Sequence, residues 1–293
     1  MKPGQWWDVS LSLVDGCTRV SEACEHCWLM GMGKRFHNLP EQVTFREDRL
    51  QIARRGGKPK RFAVWSDLFH EAVTPRQIDL AVEVMGASQH TFYVLTKRAQ
   101  RLVDWYHSTN ILGGGDWFPN IWWGVTVELP EYLWRIEKLL QIPGKHFVSI
   151  EPLLGPMDLL PCLPCRCYEA AMAVDNCELC MLKEYRSNRL DWVIVGGETG
   201  PGARPMHPDS VRSIRDQCQA AGVPFWFKGW GEFIPAFEAG FRSEEKDQYG
   251  KSFGEAWVRS KKLWRFEDGI QMVHVGTKRA GRILDGRTWE ERP

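Results

Sequence analysis

Seven short runs rich in β-branched and aromatic residues recur along the chain, each followed by a polar stretch or one with helical apolar spacing. This rhythm limits the fold more than any other feature. The runs are residues 8–14, 62–66 (FAVWS), 91–96 (TFYVLT), 121–127 (IWWGVTV), 146–150 (HFVSI), 192–196 (WVIVG) and 224–228 (PFWFK). Between them Pro75–Gly86, Tyr132–Ile142 and Asp209–Ala221 carry helical spacing, the last opened by Pro208-Asp209 and closed by Gly222. Repeated strand–helix–strand units build a parallel sheet. The expectation is an α/β fold, a partial or complete (β/α) TIM-like barrel over residues 1–235, with a doubly wound open sheet as the alternative. Residues 157–190 break the rhythm and read as a Cys-rich insertion, and residues 236–293 read as a charged C-terminal extension.

In barrels of this kind the chemistry sits at the C-terminal ends of the strands. Polar and small residues gather there: Asp15-Gly16-Cys17, Ser66-Asp67, Thr96-Lys97-Arg98, Thr126 and Glu128, Ser149 and Glu151, Gly196-Gly197-Glu198, and Lys228. The loop Gly196-Gly197-Glu198-Thr199-Gly200-Pro201-Gly202-Ala203-Arg204-Pro205 is the most unusual of them. Its glycines permit close backbone approach to a ligand, and Glu198 and Arg204 offer an acceptor and a fork-shaped donor. A tight structural turn is the alternative.

Eight of the nine cysteines fall into two clusters, 17–27 and 162–180, and Cys218 stands alone on a helix and reads as buried. In a reducing cytosol such clusters are metal ligands rather than a disulfide framework. In the first, Cys17, Cys24 and Cys27 supply three thiolates, enough for three irons of a [4Fe-4S] cluster with one iron left open. An open iron suits the amino and carboxylate groups of S-adenosylmethionine, whose reductive cleavage gives a 5′-deoxyadenosyl radical. A structural zinc completed by His26 or His37 is the alternative. The second cluster has two CxxC knuckles, and Cys162, Cys165, Cys177 and Cys180 form the expected zinc site; an auxiliary iron–sulfur cluster that recruits Cys167 is the alternative.

The stretch DGCTRVSEACEHCW, with VWSDLFHEAV, FYVLTKR, WWGVTVE, FVSIEPLLGP, DWVIVGGETGPGARPM, FWFKGWGEF and the tail GRILDGRTWEERP, resembles a phage- and prophage-encoded radical-SAM-like family. That family has a Cx6CxxC motif where the usual radical enzyme has three residues between its first two cysteines; its usual tyrosine after the third cysteine is Trp28 here. The resemblance implies a radical-SAM barrel, a cluster fed by an external flavodoxin- or ferredoxin-like donor, and a link to thymidine hypermodification in phage DNA. It also implies a cosubstrate site: Ser66 and Asp67 for the methionine amine, Lys97 or Arg98 for its carboxylate, Thr126 and Glu128 for the ribose, and Gly196 and Gly197 beside them. Glu198, Glu151 and Lys228 are the candidates for contact with the substrate, a nucleobase or nucleotide rearranged by an isomerase-type reaction.

With a net charge of +1, no global field points to nucleic acid, so any such partner is held through local patches. Arg54, Arg55, Lys58, Lys60 and Arg61 form one basic run; Arg259, Lys261, Lys262 and Arg265 surround Trp257 and Trp264 in another. Basic residues among aromatics contact phosphates and stack on bases, and an enzyme acting on a duplex base must flip it out. A zinc-dependent nucleic-acid-binding protein without catalysis is the competing reading, and radical repair of a DNA lesion a third. No apolar run approaches the roughly 18 residues of a membrane span, and MKPGQWWDVS lacks a secretory layout. The expectation is a cytoplasmic protein, in the host cytoplasm for a phage product.

Overall fold

The computed structural model describes residues 4–27, 29–30, 41–109, 118–164, 189–237 and 262–293. Seven parallel strands form the main sheet: β1 (Val9–Ser12), β2 (Arg61–Trp65), β3 (Thr91–Thr96), β4 (Ile121–Thr126), β5 (Lys145–Ile150), β6 (Trp192–Gly196) and β7 (Phe225–Gly229). They pair in chain order from β1 to β7, with no reversal. A doubly wound sheet needs a reversal at its switch point, so that alternative is excluded. Among the described residues β1 and β7 do not pair, which makes the sheet a curled half-barrel rather than a closed one.

Helices pack on the outer face: α1 (Pro75–Gly86), α2 (Ala99–Ser108), α3 (Trp134–Leu139) and α4 (Pro208–Ala221). A capping box starts α1, in which Thr74 Oγ1 accepts from the Gln77 amide and Gln77 Oε1 accepts from the Thr74 amide. Gly222, at φ 73°, ends α4 in the left-handed conformation. The expected helix Tyr132–Ile142 is shorter in the structure because Pro130–Tyr132 forms a separate 3-10 turn ahead of α3. Among the described residues, no helix is long and apolar enough to cross a membrane.

Alternation along each strand divides the aromatic residues between two layers. Phe62, Val64, Phe92, Val94, Trp123, Val125, Val148, Val193 and Phe225 face the helices. Ala63, Tyr93, Trp122, Phe147, Trp192, Ile194 and Trp226 face inward and close around Trp6, which is fully buried. Five rings meet Trp6, with centroids 5.0 Å (Trp7), 5.4 Å (Tyr93), 5.7 Å (Trp192), 5.8 Å (Trp65) and 5.8 Å (Phe147) away. All five are edge-on, the arrangement ring quadrupoles favour. Gly124 lies opposite Phe147 in register, and a Cβ there would overlap the Phe147 ring. The barrel is thus filled with rings at its lower end and keeps its polar residues at the upper.

The C-terminal segment completes this domain. β8 (Phe233–Pro235), β9 (Leu263–Arg265) and β10 (Gln271–His274) make a small antiparallel sheet in the order β8-β10-β9. The chain then returns to the outer edge of β7: the Phe227 amide donates to Trp289 O at 2.9 Å and the Glu291 amide to Phe225 O at 3.2 Å. Trp192 Nε1 donates to Glu291 O at 2.9 Å, and the Arg292 guanidinium lies 4.6 Å from the centre of the Trp226 ring.

Two outcomes follow from this packing. Trp6→Ala should cost about 3–5 kcal/mol in a denaturant titration, because it empties the centre of a ring cluster; a loss below about 1 kcal/mol would mean that the five neighbours collapse into the space. His146, on β5, is held neutral by burial, its pKa pushed down to about 4 from 6.5. The unfolded chain therefore binds more protons between those values, so this contribution to stability is complete above the unfolded value and is lost as pH falls toward the folded one. The denaturation midpoint should fall more steeply between pH 6.5 and 4 in the wild type than in His146→Gln; equal slopes would remove His146 as the cause.

Candidate active site

After β1 the chain leaves through a two-residue antiparallel ladder, Val14–Asp15 on Thr44–Phe45. The Asp15 carboxylate accepts from Arg46 at 2.8 Å and from Arg49 at 2.6 Å, which anchors the base of the cysteine loop. Glu22–Cys24 forms a 3-10 turn, and the Cys27 amide donates to Cys24 O at 3.4 Å to close the CxxC turn. Cys24 is buried, and Cys17 and Cys27 are half-buried. Burial, and then the nearby Asp67 carboxylate, push the Cys17 thiol pKa up. Among the described residues the one trio of potential ligand atoms that lie within 4.8 Å of one another is His207, Asp209 and Asp268. The alternative fourth ligand His26 lies against Gly202, where any Cβ would meet its ring. His37 lies outside the described residues.

Ser66 leaves β2 with φ 56°, a left-handed conformation uncommon for a residue other than glycine. That turn delivers Asp67, 8% exposed, into a closed set of partners. Its Oδ1 accepts from Thr96 Oγ1 at 2.5 Å and the Phe69 amide at 3.1 Å; its Oδ2 accepts from the Lys97 amide at 3.2 Å and Arg98 Nη1 at 2.9 Å. Arg98 is equally occupied. Nε donates to Glu71 at 2.8 Å, Nη1 also reaches Cys17 Sγ at 3.8 Å, and Nη2 donates to Thr18 Oγ1 at 2.8 Å and Thr18 O at 3.5 Å. The Thr18 hydroxyl also meets His70 Nε2 at 2.9 Å. The sequence offered Asp67 for the methionine amine and Lys97 or Arg98 for the carboxylate; in the structure Asp67 and Arg98 pair with one another, and Arg98 also reaches the cysteine loop.

Lys97, Glu128, Glu151 and Lys228 continue the inward alternation of their strands. Glu128 is fully buried; its Oε2 accepts from Arg135 Nη1 at 2.9 Å and from Lys97 Nζ at 3.4 Å. Its Oε1 is buried and has no hydrogen-bond partner among the described residues. Arg135, which also donates to Thr126 O at 2.9 Å, did not stand out in the sequence because it sits inside the amphipathic segment of α3. Glu151 Oε2 pairs with Lys228 Nζ, and its Oε1 is likewise buried without a partner among the described residues. The space above Gly196 is bounded by the Glu151 and Lys228 side chains, each 3.4 Å from where a Cβ would stand.

The loop after β6 holds the cysteine loop from the other side. Glu198, 6% exposed, accepts from the Arg204 amide at 2.8 Å, from Nε at 2.9 Å and from Nη2 at 2.7 Å. Arg204 Nη2 also donates to Glu22 O at 3.1 Å, and Nη1 lies 3.7 Å from the Glu25 carboxylate. Tyr132 donates to Glu22 at 2.6 Å, which pushes the phenol pKa up to about 12. The Gly197 amide donates to Gly229 O at 2.9 Å, and a Cβ on Gly197 would collide with the Trp230 carbonyl. Gly197 therefore serves backbone packing in this structure, while Gly196 lies against the Glu151 and Lys228 side chains.

Of the second cluster, Cys162 is packed in the hydrophobic core, where burial pushes its thiol up to about 11. Cys165, Cys167, Cys177 and Cys180 lie outside the described residues. Cys218 is fully buried on α4. Arg54, Arg55, Lys58 and Lys60 precede β2, so they occupy the end of the sheet opposite the cysteines, and Arg61 pairs with Asp8 at 3.0 Å. Lys262, Trp264 and Arg265 are exposed on or beside β9, whereas Trp257, Arg259 and Lys261 lie outside the described residues.

Comparison with solved structures finds a spore photoproduct lyase, a double mutant with AdoMet and a dinucleoside spore photoproduct bound. It is 12% identical over 91% of this chain and 68% of that one, with a TM-score of 0.41. No curated protein matches the chain in sequence. The family described as "Protein of unknown function (DUF5131)" matches residues 3–293, nearly the whole length, and the chain belongs to that family.

Proposed function

We propose that the protein is a radical S-adenosylmethionine enzyme. One observation carries the reading: Cys17, Cys24 and Cys27 stand on the loop after β1 of a curled parallel sheet, on the rim to which the other strands deliver Lys97, Glu128, Glu151 and Lys228. The donor set fits a four-iron cluster, with three cysteine sulfurs, one buried and two half-buried, and a guanidinium that faces the first of them. When bound there, such a cluster leaves one iron for the amino and carboxylate groups of the cosubstrate and supplies the electron that breaks its carbon–sulfur bond.

The chain's own residues divide the remaining work. The five N–H donors of Arg98 have five acceptors, which leaves Lys97, whose ammonium makes one long contact, to Glu128, among the described residues, to hold the methionine carboxylate. The free oxygen of Glu128 accepts a ribose hydroxyl beside Thr126, and Ser66 faces the amine. Gly196 lets a ligand approach the strand end closely. Glu151 offers an acceptor and Lys228 a donor to the substrate, and Lys228 lies 5.8 Å from the centre of the Trp7 ring, a flat surface for a base. The substrate is a nucleobase or nucleotide, and the reaction an isomerase-type rearrangement in phage thymidine hypermodification; this rests on the resemblance in the sequence blocks. Turnover requires an external flavodoxin- or ferredoxin-like reductant, and the Cys-rich segment holds zinc or an auxiliary cluster.

Anaerobic reconstitution with iron and sulfide, followed by dithionite and S-adenosylmethionine, should give a brown protein that forms 5′-deoxyadenosine, and Cys24→Ala should form none. A fully reconstituted wild type without 5′-deoxyadenosine, even with candidate nucleosides present, would favour the zinc-stabilised nucleic-acid-binding protein instead. Lys97→Met should weaken S-adenosylmethionine binding by about tenfold or more, the worth of one charge-assisted hydrogen bond, at unchanged iron content. Equal affinity in equilibrium dialysis would remove Lys97 from the site.

A further inference from the structure

We propose that Arg98 is a positioning residue of the cluster site: it fixes the Cys17 sulfur and keeps a permanent positive charge and an N–H donor against it, which raises the cluster's reduction potential. This inference rests on the cluster reading above. Arg98 is 6% exposed, and a cation so buried is costly unless its partners match its geometry. The match spans three strand-end loops: Cys17 and Thr18 after β1, Asp67 and Glu71 after β2, and Arg98 itself after β3.

The carboxylates alone do not account for a guanidinium here. Asp67 already accepts from the Thr96 hydroxyl and the Phe69 and Lys97 amides, three neutral donors. The Glu71 side chain is 64% exposed, so water can satisfy it. What Arg98 adds is its reach to the first loop, where Nη1 meets Cys17 Sγ at 3.8 Å and Nη2 meets Thr18 Oγ1 at 2.8 Å. His70, on the Thr18 hydroxyl at 2.9 Å, fixes that hydroxyl from the far side. Reduction adds negative charge that the ligand sulfurs share, and an N–H donor beside one of them stabilises the reduced form more than the oxidised. Because a guanidinium does not deprotonate in proteins, the effect is constant with pH.

Arg98→Gln, Arg98→Lys and Thr18→Val separate this role from that of a mere strut between loops. Each full-length variant is reconstituted anaerobically beside the wild type, its iron and sulfide are counted, and its potential is read by EPR-monitored titration without cosubstrate. Arg98→Gln should titrate at a more negative potential and Arg98→Lys closer to wild type. Thr18→Val, which loosens the guanidinium but keeps its charge, should move in the same direction by less. Variants that hold a full cluster at the wild-type potential would reduce Arg98 to a strut and overturn the inference. Should Arg98→Gln assemble no cluster, Thr18→Val decides alone. A wild type that assembles no iron–sulfur cluster overturns the underlying reading as well, whereas a normal wild-type cluster with unmoved potentials overturns only the role of Arg98.

Discussion

A curled sheet whose first and last strands do not pair must fill its concave side or admit water along its whole length. Trp6 meets this constraint, and the rest of the molecule depends on it. The indole takes edge contacts from β2, β3, β5 and β6 at once, so four strands are held at one curvature by a single side chain. Dispersion over so many ring atoms is individually small and collectively large. Above that floor stand the polar strand ends, over a dry base where charges act on one another more strongly than in water.

Most of the charges at those strand ends are paired across loops, while Glu198 and Arg204 pair within the loop after β6. Asp67 with Arg98 joins the loops after β2 and β3, Glu151 with Lys228 joins β5 to β7, and Arg204 joins the loop after β6 to the cysteine loop. Each pair ties together elements far apart in sequence, so the rim is positioned by the sheet as a whole. Two carboxylate oxygens are left over, on Glu128 and Glu151, both buried and without a partner among the described residues. Buried acceptors without donors are costly in a folded protein, and a ligand with hydroxyl or amine groups would satisfy them.

The seven strands were legible in the sequence because buried parallel strands must be apolar on both faces, and runs such as WVIVG and IWWGVTV leave no other reading. α1 and α4 were legible from Thr74, Pro75, Pro208 and Gly222, which signal their own ends. α2 was not, because Arg98 at its N-cap has no side-chain acceptor for the first helical amides; the turn is closed by Thr96 Oγ1, which accepts from the Arg98 amide at 2.9 Å. The return of residues 289–291 to β7 was hidden too, since it is made by backbone groups and its residues look like a polar loop. At the strand ends, residue type marked where the polar groups gather but not who would bind whom. Asp67 reads as a free acceptor until the Phe69 donor from its own loop and the Thr96, Lys97 and Arg98 donors from the end of β3 are brought around it.

The contacts of the returning segment bear on how the chain is built during synthesis. Trp192 and Phe227 complete their hydrogen bonds with residues 291 and 289, some sixty positions or more downstream. A ribosome working from the N-terminus therefore exposes all seven strands before the edge of β7 is covered. Until then that edge carries unpaired amides and carbonyls beside an aromatic interior, the kind of surface that recruits strands from other chains. The nascent domain is most exposed to misassembly in this interval, and the late residues act as an internal guard against it.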